Sequence, residues 1–147
     1  MDFSEQYIKM CQQASRLREL WIPKDADFVI DVYNERRGNA YAMDVDQDNH
    51  DSIIEDVENG KLLVVYRQDQ LWDFVDEYKN KNHRIFRFYD FLKKKYLSFS
   101  NQNGYTIITN MFDSVSMEKL LLCFVMNEKY NKIWDKDKED WVNKGRK

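Results

Sequence analysis

Phe3, Tyr7, Met10, Ala14, Leu17 and Trp21 follow one another at steps of four and three, the spacing that lines one face of a helix. Pro23 predicts the end of that helix, because proline disfavours helical geometry in the residue before it and brings no donor N–H. From Asp27 the pattern changes. Phe28, Ile30 and Val32 alternate with Asp27, Val29 and Asp31, which suits a strand with one buried face. The polar run Asn34 to Asn39 reads as a turn and Ala40 to Met43 as its returning strand. Ile53, Ile54 and Val57 form one short helical face that Asn59-Gly60 closes, and Lys61 to Tyr66 reads as a buried strand.

Further along, Leu71, Trp72, Phe74, Val75 and Tyr78 share helical spacing, with Asp69 placed to accept N–H groups at the start. Ile85, Phe88, Tyr89 and Leu92 mark another helix. Tyr96 to Ser100 and Tyr105 to Thr109 flank Asn101-Gln102-Asn103-Gly104, a hairpin signal. Ser116 is placed to cap a helix from Met117 to about Tyr130, whose stretch Leu120 to Met126 is apolar nearly all round and so predicts central burial. Trp134 and Trp141-Val142 bracket the charged loop Asp135 to Asp140 as a last small hairpin. The pattern predicts one α+β domain over residues 1–147, a small mixed or antiparallel sheet packed with an N-terminal helix and a buried C-terminal helix, with a disordered tail from about 143 to 147.

Of the 147 residues, 43% are hydrophobic and 15% aromatic, enough side-chain surface to set against the entropy cost of folding. Charged residues reach 33% and mean hydropathy is −0.78, which predicts a soluble molecule. No stretch approaches the roughly 18 to 20 apolar residues that cross a bilayer, and Met1-Asp2-Phe3-Ser4-Glu5 lacks the basic-then-apolar order of a signal peptide. A cytoplasmic location without membrane attachment is the expectation. Cys11 and Cys123 both sit inside apolar helical patterns, where a free thiol acts as a small hydrophobe and a disulfide is not expected.

Net charge is −3, so the whole-molecule field does not attract nucleic acid or anionic lipid. Along the chain, however, charge is segregated. Asp44, Asp46, Asp48, Asp51, Glu55, Asp56 and Glu58 run together without a Lys or Arg among them, whereas Lys79, Lys81, Arg84, Arg87, Lys93, Lys94 and Lys95 are opposed only by Asp90.

Candidate chemistry is sparse. The segment Asp44 to Glu55 places carboxylates at the first, third, fifth and twelfth positions of a calcium-binding loop, but its sixth position is Asn49 where the turn needs glycine, and an exposed acidic loop explains the same residues. His50 and His83 are the only histidines, too few and too far apart for an ordinary zinc centre. No catalytic motif is found: the serines lie in no nucleophile elbow and the four glycines (Gly38, Gly60, Gly104, Gly145) in no phosphate-cradling loop. No catalytic, cofactor-binding or metal-binding residue is therefore assigned, and no cofactor is expected. Arg67-Gln68-Asp69-Gln70 stands at a strand-to-helix junction, where a helix N-terminus can hold an anion, although an N-cap by Asp69 pinned by Arg67 is the commoner arrangement. Lys79 to Lys95 interleaves cations with Phe86, Phe88, Tyr89 and Phe91, as a single-strand nucleic-acid surface does, or as a solvated basic face does above aromatic core residues.

Three blocks carry a resemblance. Leu20-Trp21-Ile22-Pro23 is similar to a Leu-Trp-x-Pro opening, followed here by Ala26-Asp27-Phe28 in place of Gly-Asp-Trp. Arg67-Gln68-Asp69-Gln70-Leu71 matches a central Arg-Gln-Asp-Gln-Leu, with Tyr66 in place of a proline and Trp72 in place of a glutamine. Leu122 to Asp135, with its Phe124-Val125-Met126-Asn127-Glu128-Lys129-Tyr130-Asn131-Lys132-Ile133-Trp134, resembles a closing block that continues to Trp141-Val142 through a longer loop. Together they resemble small proteins of unknown function encoded in bacterial phages and prophages. The resemblance implies a family and no activity, cofactor or site. The expected role is that of an accessory phage or prophage protein that binds another protein, of host or phage, through exposed aromatics and its separated charge patches. A nucleic-acid-associated factor or an enzyme with an unrecognised site is the alternative.

Overall fold

The computed structural model describes residues 1–24, 27–31, 41–42, 49–75, 81–95, 97–100, 104–107 and 114–145. Its centre is the helix Met117–Tyr130 (named α6 in the chain order given below), in which every residue from Glu118 to Met126 is buried. An uninterrupted apolar run can be satisfied only by neighbours on all sides, and the other elements supply them. Ser116 caps the helix, its Oγ accepting the Lys119 N–H at 3.2 Å. Asn131 closes it in the left-handed region at φ 52°, a conformation asparagine tolerates better than most residues.

In chain order the elements are α1 (Glu5–Gln13), α2 (Ser15–Arg18), β1 (Phe28–Asp31), β2 (Tyr41–Ala42), α3 (His50–Glu58), β3 (Leu62–Val65), α4 (Gln68–Asp73), α5 (Lys81–Lys95), β4 (Leu97–Ser100), β5 (Gly104–Ile107), α6, β6 (Lys132–Asp135) and β7 (Asp140–Asn143). This is an α+β fold. The strands form three antiparallel sheets in the order β2-β1-β3, β4-β5 and β6-β7.

The first predicted helix is two pieces. Ser4 caps α1, so Phe3 lies before the helix and is 42% exposed, outside the stripe expected of it. At Ala14 (ψ 47°) the chain leaves helical geometry for one residue and tightens, with Ala14 N–H bonded to Cys11 O and Leu17 N–H to Ala14 O. Tyr7, Met10, Ala14, Leu17 and Trp21 are buried all the same. The helical run stops at Arg18, before Pro23 acts.

β1 pairs with β2 through Phe28↔Ala42 and with β3 through Phe28↔Val65 to Asp31↔Leu62. It does not alternate as expected: Val29 and Ile30 are both buried, and both α1 and α3 pack on the neighbouring strand β3. The expected turn at Asn34 to Asn39 lies outside the described residues. β4 and β5 pair from Leu97↔Ile107 to Ser100↔Gly104, as the hairpin signal predicts. In the last hairpin Trp134 faces Trp141 in register, with ring centroids 5.1 Å apart at 66°. Its Trp141 Nε1–H donates to the Met10 carbonyl of α1 at 3.0 Å, and Lys144 N–H donates to Asn131 O at 3.0 Å. Residues 146–147 lie outside the described residues.

Two helices differ from what their spacing predicts, one in extent and one in the face it buries. α4 is short and ends at Asp73, with Phe74 and Val75 in a turn; Tyr78 lies outside the described residues. α5 forms as expected but presents a different face. Phe88 and Phe91 are buried, with ring centroids 5.3 and 5.4 Å from that of Phe124, whereas Ile85 and Tyr89 point outward. Among the described residues no helix is long and apolar enough to cross a membrane.

Leu121 on α6 is fully buried and Met117, about one turn before it at the start of the helix, is exposed. Leu121→Ala is expected to lower the unfolding free energy by about 2–5 kcal/mol, read from the urea midpoint, and Met117→Ala to leave it within about 0.5 kcal/mol.

Candidate functional site

Polar side chains from two distant segments meet at one carboxylate. Asp27, fully buried, stands at the mouth of β1. Its Oδ1 accepts from Arg67 Nη1 at 3.0 Å and Gln70 Nε2 at 2.8 Å, and its Oδ2 from Trp21 Nε1 at 2.9 Å and the Lys24 backbone N–H at 3.0 Å. A buried anion is tolerated only when paired and hydrogen-bonded, and here both oxygens are used twice. Arg67 also grips Asp69 through two bonds, Nε to Oδ1 at 3.0 Å and Nη2 to Oδ2 at 2.9 Å. That pairing pushes the guanidinium up and holds the Asp69 carboxyl low.

The N-cap position of α4 is Arg67, whose backbone N–H is taken by Gln70 Oε1 at 2.8 Å. Asp69 stands inside the first turn, and besides the guanidinium its carboxylate meets the backbone N–H groups of Asp69 and Gln70, as expected of an acceptor at the helix start. The Arg67 cation is engaged by two carboxylates, and only six residues of helix stand behind the junction.

A second polar seam continues from the same junction. Gln68 Nε2 donates to Glu118 Oε1 at 3.0 Å. Beside Glu118 on α6, Lys119 is fully buried and donates through Nζ to Ser114 O at 2.9 Å, with Asp2 Oδ2 at 3.7 Å. Asp2 accepts from Ser116 Oγ at 2.5 Å and Ser4 N–H at 2.8 Å. Burial works to raise the Asp2 carboxyl, but the bonds from Ser116 and Ser4 outweigh it and hold it low. Glu118 is likewise low, burial being outweighed chiefly by the Gln68 bond. Both carboxyls are thus shifted away from the near-neutral range in which a general base works best. Their arrangement builds structure.

Of the acidic calcium-loop pattern, Asp44, Asp46 and Asp48 lie outside the described residues. Asp51 and Glu55 stand exposed on α3, which begins at His50, the seventh of the twelve positions. Among the described residues no group of His, Cys, Asp and Glu is arranged to hold a metal ion. Cys11 and Cys123 are buried free thiols, as expected, and burial pushes Cys11 up to about 12, out of reach of nucleophilic chemistry at neutral pH.

The basic segment divides by depth. Arg84 is buried and donates to Trp72 O at 3.0 Å, and Arg87 pairs with Glu128. Lys93, Lys94 and Lys95 stand exposed in the last turn of α5. Between them, on the outward side, Ile85 is 59%, Phe86 68% and Tyr89 47% exposed. Tyr89 stands four residues after Ile85 and three after Phe86, the two spacings at which helical side chains are neighbours, so it joins the three into one apolar surface. The sequence pattern missed it by assigning Ile85 and Tyr89 to the core.

Neither a family model, nor a curated protein, nor a solved structure matches the chain. The site is thus read from its geometry alone.

Removing the central carboxylate tests the hub. Asp27→Ala is expected to cost about 3 kcal/mol, since it strands the Arg67, Gln70 and Trp21 donors, whereas Asp69→Ala at the exposed end is expected to cost less than about 1 kcal/mol, both measured by chemical denaturation. A thiol-reactive chromogenic disulfide at pH 8 is expected to label neither Cys11 nor Cys123 in the folded protein, and both once denaturant unfolds it; rapid labelling of the folded chain would contradict the buried thiols.

Proposed function

We propose that the chain is an accessory protein of a phage or prophage that acts by binding another protein molecule through the outward face of α5. The observation that carries this reading is the joint exposure of Ile85, Phe86 and Tyr89 on one helix. Scattered exposed hydrophobics need no explanation, but a contiguous group ringed by charge is the usual form of a protein-binding surface. The helix is apolar on both sides, with Phe88 and Phe91 directed to the core, and a helix of that kind is ordinarily covered on both.

Two features favour a protein over a nucleic acid at this surface. Arg84 and Arg87, the cations that flank Ile85 and Phe86 in sequence, are engaged with Trp72 O and Glu128. Ile85, in the middle of the patch, offers no ring for a base to stack on. The phage assignment is supported by the three sequence blocks, the first two of which supply Trp21, Asp27, Arg67, Asp69 and Gln70 to one hydrogen-bonded hub.

The test compares the native chain, as tagged bait, with Phe86→Asp/Tyr89→Asp in infected or lysogenic cells that also make untagged chain. Because both positions are exposed, the double variant is expected to melt within a few degrees of the native protein. At least one protein is expected to be retained by the native bait and lost by the variant. Identical retained sets would refute the reading.

A further inference from the structure

We infer that Asn59-Gly60 is a deamidation site governed by the C-terminal turn of α3: the amide persists while that turn is closed and is lost when it opens. The reaction needs only the chain and water. The Gly60 amide nitrogen, on losing its proton, attacks Asn59 Cγ, forming a C–N bond as the side-chain nitrogen leaves as ammonia. Water then opens the five-membered succinimide to aspartate or, at the other carbonyl, to isoaspartate. Glycine after asparagine makes ring closure easiest, since no side chain hinders the attacking nitrogen, and Asn59 is exposed to the water and hydroxide that the steps require.

The fold opposes this closure. α3 ends in the paired bonds of a Schellman turn, with Gly60 N–H donating to Val57 O at 3.1 Å and Lys61 N–H to Asp56 O at 2.8 Å. The first of these bonds engages the proton that the reaction must remove. Asn59 holds ψ −1°, whereas ring closure needs Cβ and the Gly60 nitrogen to eclipse across the Cα–C bond, an arrangement that helical backbone angles keep apart. Lys61 Nζ adds an ion pair to Asp56 Oδ1 at 2.7 Å over the same turn. Gly60 itself lies at φ 73°, in the left-handed region that favours glycine, so the residue that lets the turn close is also the one that makes its neighbour labile.

The products do not suit the turn they leave. Isoaspartate carries one more main-chain atom, so Lys61 N–H no longer falls opposite Asp56 O. Either product adds a carboxylate where Glu55, Asp56 and Glu58 already crowd the end of α3, the end at which a helix dipole disfavours negative charge. Because β3 begins at Leu62, directly after the turn, one opening that ends in reaction leaves a lasting mark at the joint between α3 and the sheet.

The test incubates native and denaturant-unfolded chain in mildly alkaline buffer and digests both. The peptide that contains Asn59 is read by mass for conversion of amide to acid and by enzymatic methylation for isoaspartate, apart from the peptide that holds Asn103-Gly104. Conversion at Asn59 is expected to be at least about tenfold slower in the native chain than in the unfolded one, as for a site reached through local opening. Lys61→Pro removes the N–H that is bonded to Asp56 O and is expected to bring its folded rate nearer to its own unfolded rate. Should that variant fail to fold, denaturant below the unfolding midpoint takes its place and is expected to raise the native rate, because the turn opens before the whole chain does. Equal rates in the native and unfolded chain overturn the inference, as does a native rate that loosening the turn leaves unchanged.

Discussion

A carboxylate with no access to water and four donors aimed at it organises this fold. Asp27 joins the loop after α2, the start of β1 and the β3–α4 junction at a single point. Without the Arg67 guanidinium the buried anion would be prohibitive, and without the anion the indole of Trp21 and the amide of Gln70 would be buried donors lacking acceptors. Such a set is all-or-none: hydrogen bonds of this kind are strong where the surroundings are dry and complete, and costly where one member is missing. It also fixes direction. Apolar packing around α6 tolerates many arrangements of similar volume, whereas the geometry at Asp27 admits one placement of β1 relative to α4.

The structure divides into a part held by burial and a part held by pairing. Burial holds α6, the sheet that includes β1 and β3, and the last hairpin. Pairing holds the edges, through the Asp27 hub and the seam from Gln68 through Glu118 to Lys119 and Asp2. The outward side of α5 belongs to neither part, and its exposed Ile85, Phe86 and Tyr89 are why the proposed role is one of contact.

Much of the architecture was legible in residue order. Leu120 to Met126 announces its own burial, because seven consecutive apolar residues leave no polar face to turn outward. Trp134 and Trp141 mark a hairpin because two large rings separated by a charged loop can share burial only by facing each other. Where one pattern admitted two solutions, order along the chain did not choose. α5 has apolar residues on nearly every side, and spacing alone selects Ile85 and Tyr89 as readily as Phe91; only contact with Phe124 decides. Asp27 fits the polar side of an alternating strand equally well, and its true role depends on Arg67 and Gln70, some forty residues onward. The signal was present in the first two blocks of the resemblance, both rich in polar groups beside buried strands, but which group faces which is a tertiary fact.

The interruption at Ala14 changes what the first helix can do for the last strand. In a continuous helix the Met10 carbonyl would accept the N–H four residues on. Here that N–H turns to Cys11, and the vacated oxygen receives the indole of Trp141, 131 residues away in sequence. A one-residue defect thus becomes the latch between the two ends of the polypeptide. Since closing so long a loop is slow compared with forming local turns, that latch is among the last links to set, and it joins the chain's earliest helix to its final hairpin in one cooperative unit.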